Sequence, residues 1–519
     1  MKNNLRDILH TFLFVLFFIL FLFAHNHKDL LYSDLMWPLA LGLLLVVSTL
    51  ALFLALYRDI RRAALASTFA LVLFLSYGHV FEIRGEGNGY WIQHRYLMAL
   101  WAVLFFGGLA WLWRTKRDLV VLSRGLILVG ATLVGLSTLT ILRYEFTEHA
   151  VADVRLPEIA KKVELEYMPD VYYILPDAYS SELALKKYYN YDNSAFRKAL
   201  EGRGFYVVPK PRSNYSGTAF SVASFLNIDY LDSLSAGGKV SRSTLNPRTL
   251  IANNVVGTFL QKQGYKYIHL GTWWEGDFRI LAADENINKG LMPEFVLLLF
   301  RKTIAFPFSY NFGYLDDRHL QHERILYQLD EVAKIPAEKA PTFTFFHLGA
   351  PHGPLVFKED GSFLDIPEQE LDDENVKNPA IIKKYYPGQL KYVTSRLEPL
   401  IDTILKKSEH PPIIIIQSDH GSSLFARSDP EYERNRLKNF TAIYFPEIKD
   451  KEGKIHGGRS VAWADITPIN TFRLLLNEYF GTDLEYLPDL SYAFSDKVSE
   501  HPEWGLIDVT DSVAKDYGK

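Results

Sequence analysis

Five apolar runs fill roughly the first 145 residues of this chain, at about 8–24, 35–57, 63–79, 96–113 and 119–142. Most approach the ~20 residues a helix needs to cross the hydrocarbon core of a bilayer. No water-soluble fold absorbs so much consecutive apolar sequence, so a multi-span membrane domain is expected over 1–146. The first run, "ILHTFLFVLFFILFLFA", resembles a secretory signal in length. It lacks a small-residue cleavage site and four more runs follow it, so it is read as an anchor.

Basic residues set the orientation. With the N-terminus inside, the inner flanks carry Lys2, Arg6, Arg58, Arg61, Arg62, Arg114, Lys116, Arg117 and Arg124, and the outer flanks only Lys28, Arg84, Arg95 and Arg143. Five spans starting inside leave everything after Phe146 outside the cytoplasm. Trp37, Trp91, Trp111 and Trp113 fall near span ends, where interfacial aromatics belong. The third run is short and turns polar toward its end, and its loss would invert the remainder. The net charge of -4 gives no reason to expect nucleic acid as a partner. With no cysteine anywhere, disulfides, thiolate metal sites and a cysteine nucleophile are all excluded.

A charged linker is expected over 147–168, and a second domain over 169–519. There, short strand-like runs alternate with helical patterns: "DVYYILPDAYSS", "KYIHLG", "TFTFFHLG" and "PPIIIIQSDHG" read as strands. Such alternation predicts an α/β domain with a largely parallel central sheet, in which ligands collect at the carboxyl ends of the strands. Three polar clusters stand there: Asp177, then His347 with His352, then Asp419 with His420. Singly, each has an ordinary explanation as a turn former, a core histidine or a loop residue. Together they offer hard oxygen and imidazole ligands for a divalent metal, with the remaining histidines available for proton transfer.

"SNYSGTAFSVASFLN", residues 213–227, hands the chain from Gly217 to Thr218 and into an apolar helix. Thr218 is either a helix cap or a nucleophile, activated by a metal held by Asp177, Asp419 and His420 and facing an anion at the helix start. Three other stretches stand out. Arg212 precedes the threonine. Trp273 and Trp274 follow a strand as candidate cleft residues. Residues 293–315, apolar with a basic pair at Arg301-Lys302, are either an interfacial segment guiding lipid or a buried helix ending before Pro307.

Strand-Asp177, Gly217-Thr218, His347-x4-His352 and Asp419-His420-Gly421, in that order behind five spans, resemble the alkaline-phosphatase/sulfatase superfamily. Within it the chain is most similar to the membrane-anchored lipoteichoic acid synthases and phosphoethanolamine transferases. The resemblance implies a threonine nucleophile, which the transferase-like "GTAFSV" places at Thr218. It implies metal ligation by Asp177, Thr218, Asp419 and His420, and substrate-side histidines at His347 and His352. It implies one catalytic divalent metal, zinc or manganese before magnesium or calcium. The implied reaction transfers a phosphoethanolamine or phosphoglycerol head group from a membrane phospholipid to a cell-envelope glycan or lipid. The implied site of action is the periplasmic or exterior face of a bacterial plasma membrane. A hydrolase using the same site with water as acceptor, and a catalytically inactive membrane scaffold, are the alternatives.

The chain also departs from the pattern of the families it resembles. It has no Cys/Ser-x-Pro-x-Arg setting of the formylglycine sulfatases. Asp177 stands where the transferases carry Glu, and Tyr432 stands where they place a further histidine; His456 is the next one available.

Overall fold

The computed structural model describes residues 2–26, 30, 32–82, 90–147, 163–231, 247–272, 275–289, 294–311, 317–366, 379–425, 429–494 and 506–518. Trp273, Trp274 and most of the expected linker lie outside the described residues. The chain divides into two units, Met1–His149 with Leu291–Asp316, and Ala150–Gly290 with Asp317–Lys519.

The first unit contains five helices long and apolar enough to cross a membrane: α1 (Lys2–Asn26), α2 (Met36–Tyr57), α3 (Ile60–Glu82), α4 (Tyr90–Arg114) and α5 (Val120–Thr147). Helix α3, the most polar of them, is the interior one: 50% of its central stretch is buried, against 17% in α2, α4 and α5. Its small and hydroxyl residues therefore meet protein rather than lipid. Thr68 receives a 2.6 Å hydrogen bond at Oγ1 from His10 Nδ1 and donates to Thr11 Oγ1 at 2.9 Å. Helix starts α1 and α3 and the end of α4 share one face, where Arg61 forks onto Asp7 at 3.0 and 3.1 Å and Arg62 donates to the Thr115 carbonyl.

The apolar segment near residue 300 belongs to this unit as well. Helix Glu294–Arg301 buries Phe295 edge-on against Phe23 of α1, with ring centroids 5.9 Å apart. The Gly78 amide donates to the Lys302 carbonyl at 2.8 Å. A Cβ on Gly78 would lie 2.6 Å from Lys302 Cα, so only glycine admits this approach. The segment thus forms a short helix that buries Phe295 and ends before Pro307, as the buried-helix reading expects, but it packs in the unit of the apolar helices.

The second unit is built on a seven-stranded sheet in the order β2-β7-β6-β1-β5-β3-β4. The strands are β1 (Val171–Pro176), β2 (Tyr206–Val207), β3 (Lys266–Leu270), β4 (Glu285–Ile287), β5 (Thr342–Leu348), β6 (Ile413–Gln417) and β7 (Thr441–Tyr444). Strand β7 alone runs against the others. Both faces are covered, which is why β1 and β6 read as continuous apolar runs rather than alternating ones. Tyr173, Leu175, Ile413 and Ile415 meet Val222, Phe225 and Phe472 on one face. Tyr172, Ile174, Ile414 and Ile416 meet Leu390, Val393 and Leu397 of the long helix Pro379–Lys407 on the other. The expected architecture, five spans and a largely parallel α/β domain, is the one observed.

Candidate active site

Parallel pairing brings the carboxyl ends of β1, β5 and β6 together. Leu175 lies beside His347, and Ile174 beside Ile416, so Asp177, His347 and the Asp419-His420 pair emerge along one edge. Ala178, at φ +60°, turns the chain sharply after Asp177 and aims its own amide at Asp419 Oδ1, 3.2 Å away. A left-handed alanine is strained by about 1 kcal/mol or more. It is retained here by the Tyr386 hydroxyl, which donates to the Ala178 carbonyl at 2.7 Å.

Thr218 is the first residue of helix Thr218–Leu226, and Gly217 is its N-cap. The capping role therefore falls to the glycine backbone, whose carbonyl accepts from Phe220 and Ser221. The Thr218 hydroxyl instead lies 3.0 Å from His420 Nε2. Its loop is stitched to the end of β6: the Ser213 and Ser221 hydroxyls both donate to the Asp419 carbonyl, the latter at 3.1 Å. Those two serines in "SNYSGTAFS" hold the Thr218 loop and the Asp-His pair in register.

His420 is fully buried, and its Nδ1–H donates to the Gly421 carbonyl at 2.9 Å. Burial, then the Arg436 guanidinium, holds its basicity well below the ordinary imidazole value. The ring is therefore neutral, with the Nε2 lone pair aimed inward. His352 likewise spends Nδ1 on a backbone carbonyl, that of Gly353, which leaves Nε2 as its ligand-capable nitrogen. Ligand atoms of Asp177, His352 and His420 lie within 4.8 Å of one another. Asp419 Oδ2 is 3.1 Å from His420 Nε2.

The two carboxylates behave oppositely. Burial alone would raise Asp177, but the facing imidazoles, His352 and then His347, outweigh it and hold the group below the usual carboxylate range. Burial and the Asp177 charge push Asp419 up. Asp177 Oδ1 and Asp419 Oδ2 are buried and find no hydrogen-bond partner among the described residues. A buried carboxylate oxygen without a donor is costly unless a cation compensates it. Two such oxygens, two imidazole nitrogens and a hydroxyl fit a zinc- or manganese-type ion.

His347 stands on the far side of Asp177. Its Nε2 is 3.4 Å from Asp177 Oδ2, and its Nδ1 is 2.5 Å from Asp277 Oδ2. Asp277 is wholly buried and also meets His269 Nε2 at 2.9 Å. Burial opposes charge on His347, yet Asp277 and then Asp177 prevail and raise it to about 10. The same burial would raise Asp277, but His347 and His269 bring it down to about 2.

The structure thus gathers Asp177, Thr218, His352, Asp419 and His420 around one point, with His347 beside them. Sequence reading missed two neighbours. Asp277 closes the loop after β3, where the rule that ionisable residues follow strand ends would have found it. Arg436, sixteen residues after His420, donates from Nη2 to His420 Nε2 at 2.8 Å, and nothing in its spacing announces it. Arg212 is buried and turned toward the Asp489 carbonyl and Asp465. His456 pairs with Asp450 at 2.9 Å beside a small hairpin.

No protein family model matches the chain, and no curated protein does. Solved structures do match. The integral membrane lipooligosaccharide phosphoethanolamine transferase A of Neisseria meningitidis is 12% identical, with 84% of this chain and 88% of that one covered at a TM-score of 0.34. The periplasmic domain of EptC from Escherichia coli is 12% identical, over 69% of this chain and 96% of that one, at 0.39. A member of the alkaline phosphatase superfamily from Vibrio parahaemolyticus is 12% identical, over 70% and 82%, at 0.36. At such TM-scores the likenesses decide nothing about chemistry, which rests on the geometry above.

Proposed function

We propose that the chain is a membrane-anchored, metal-dependent transferase that moves a phosphoryl-linked head group from a phospholipid to a cell-envelope glycan or lipid, through an ester on Thr218. One observation carries this reading: the Thr218 hydroxyl, with Gly217 as N-cap, is held 3.0 Å from His420 Nε2, beside two buried carboxylate oxygens that find no donor among the described residues. Asp177, His352, Asp419 and His420 would hold the metal. When bound, it supplies Lewis-acid neutralisation of developing negative charge.

The deprotonated Thr218 oxygen attacks phosphorus, and the bond from phosphorus to the diacylglycerol oxygen breaks. His347, kept protonated by Asp277, gives its proton to that departing oxygen. An acceptor hydroxyl then returns a proton to His347 and attacks the same phosphorus, releasing Thr218. The start of helix Thr218–Leu226 faces the anion with its first backbone amides. Five spans starting inside would put this chemistry on the outer face of a bacterial plasma membrane, the side of the donor lipid in this reading.

The test is diacylglycerol release from phosphatidylethanolamine and phosphatidylglycerol by the zinc-loaded protein in detergent. Cleavage that fails in Thr218→Ala and Asp419→Asn supports the reading. Cleavage that survives Thr218→Ala, or no cleavage of any phospholipid by metal-loaded protein, overturns it. Release without transfer to an added hydroxyl acceptor would favour the hydrolase.

A further inference from the structure

Arg436 is a buried cation, 9% exposed, for which no carboxylate lies within ion-pair distance among the described residues. Its guanidinium is fixed at two corners. Nε donates to the Ser216 carbonyl at 2.9 Å, and Nη1 donates to the Ser423 hydroxyl. The third nitrogen, Nη2, points at His420 Nε2 from 2.8 Å. His420 Nε2 also receives the Thr218 hydroxyl at 3.0 Å. Because Nδ1 of His420 is committed as a donor to Gly421, Nε2 has one lone pair, and two donors crowd it.

Ligation uses that lone pair. Once His420 is a ligand, Nη2 loses its acceptor, while the bonds at Ser216 and Ser423 keep the guanidinium beside the nucleophile loop. A buried guanidinium requires an anionic acceptor, and its planar fork suits the paired oxygens of a tetrahedral oxyanion. The acceptor must therefore arrive with the substrate. We infer that Arg436 forms an oxyanion subsite that binds a non-bridging oxygen of the phosphoryl group brought to Thr218. This inference rests on the metal reading above and adds a substrate-contacting residue to it. It also gives the chain a second requirement for its ligand: a phosphoryl group with a non-bridging oxygen that is not taken up by the metal ligands.

Calorimetric titration of the zinc-loaded full-length protein with inorganic phosphate and with O-phosphoethanolamine tests it, alongside zinc content and melting temperature. Wild type should bind both. Arg436→Gln, which keeps a donor for Ser216, should bind about tenfold more weakly or worse, with zinc content and melting temperature unchanged; Arg436→Lys should fall between. Affinity within twofold of wild type in Arg436→Gln, with zinc retained, overturns the inference and leaves the metal reading standing. Wild-type protein that binds no zinc defeats the metal reading itself, and the inference with it. If the variants do not fold, a structure of wild-type protein with zinc and phosphate decides. Nη2 within hydrogen-bond distance of a phosphate oxygen supports the subsite, and Nη2 directed elsewhere while phosphate is bound contradicts it.

Discussion

Two histidines at the ends of the two strands that flank β1 are given opposite characters by their second neighbours. At the end of β6, His420 spends Nδ1 on a backbone carbonyl, faces the Arg436 guanidinium, and is kept neutral. At the end of β5, His347 spends Nδ1 on the Asp277 carboxylate, faces Asp177, and is kept cationic. Burial is nearly identical for the two, so burial does not make the difference. The sign of the group behind the ring does. A neutral ring offers a lone pair to a metal, and a protonated one offers a proton to a leaving oxygen. On the proposed reading, one edge of one sheet would supply both a ligand and an acid, by the logic that separates paired titratable groups in enzyme sites.

The comparison breaks most completely when the atom both flanks serve is removed. Thr218→Ala should lower phospholipid cleavage by roughly four orders of magnitude or more, measured as diacylglycerol release, with zinc content unchanged. Next, His420→Ala should weaken zinc binding at least ~100-fold, beyond what loss of an outer partner costs, as read by competition with a chelator. His347→Ala should leave zinc content near wild type while turnover falls.

Asp277→Asn sharpens the contrast on the other flank. It keeps the hydrogen-bond geometry and removes the charge, so cleavage should fall about 10²- to 10³-fold with metal affinity little changed. It carries a pH signature too. His347 is raised from 6.5 to about 10, so its contribution to stability is complete below 6.5 and lost as pH rises through 10. The melting temperature of metal-stripped protein should therefore decline between pH 7 and 10, and Asp277→Asn should flatten that slope. An unchanged slope would remove Asp277 as the cause.

The smallest effect is expected at the turn that joins the flanks. Ala178→Gly relieves a left-handed alanine but frees the unfolded chain. The two terms nearly cancel, leaving stability within ~1 kcal/mol of wild type and the metal affinity intact by the same chelator assay.

What was legible in the sequence follows the range of the forces involved. The five spans and the strand-end acids are local signals: an apolar run long enough for a bilayer, or one ended abruptly by Asp or His. The weak third span is polar because α3 is interior, a fact of packing that hydropathy records only as doubt. Thr218 was ambiguous because a hydroxyl at a helix start reads alike as cap or nucleophile. The structure gives the N-cap position to Gly217 and leaves the Thr218 hydroxyl beside His420 Nε2. Asp277 follows β3 and was open to the strand-end signal, whereas Arg436 joins from the helix Tyr432–Arg436 ahead of β7, at a spacing no motif announces. The segment Glu294–Arg301 was apolar enough for a soluble core, and sequence carries no mark of the unit it joins. Its contact with Gly78 does.

The central claim is that Thr218 becomes esterified. Intact mass of the detergent-purified, zinc-loaded protein after incubation with phosphatidylethanolamine or phosphatidylglycerol, followed by peptide mapping, tests it most directly. The account predicts a phosphoethanolamine or phosphoglycerol adduct on the peptide containing Thr218, absent in Thr218→Ala and accumulating when no acceptor is added. Lipid cleavage with the adduct on another residue, or an adduct that persists in Thr218→Ala, would contradict it.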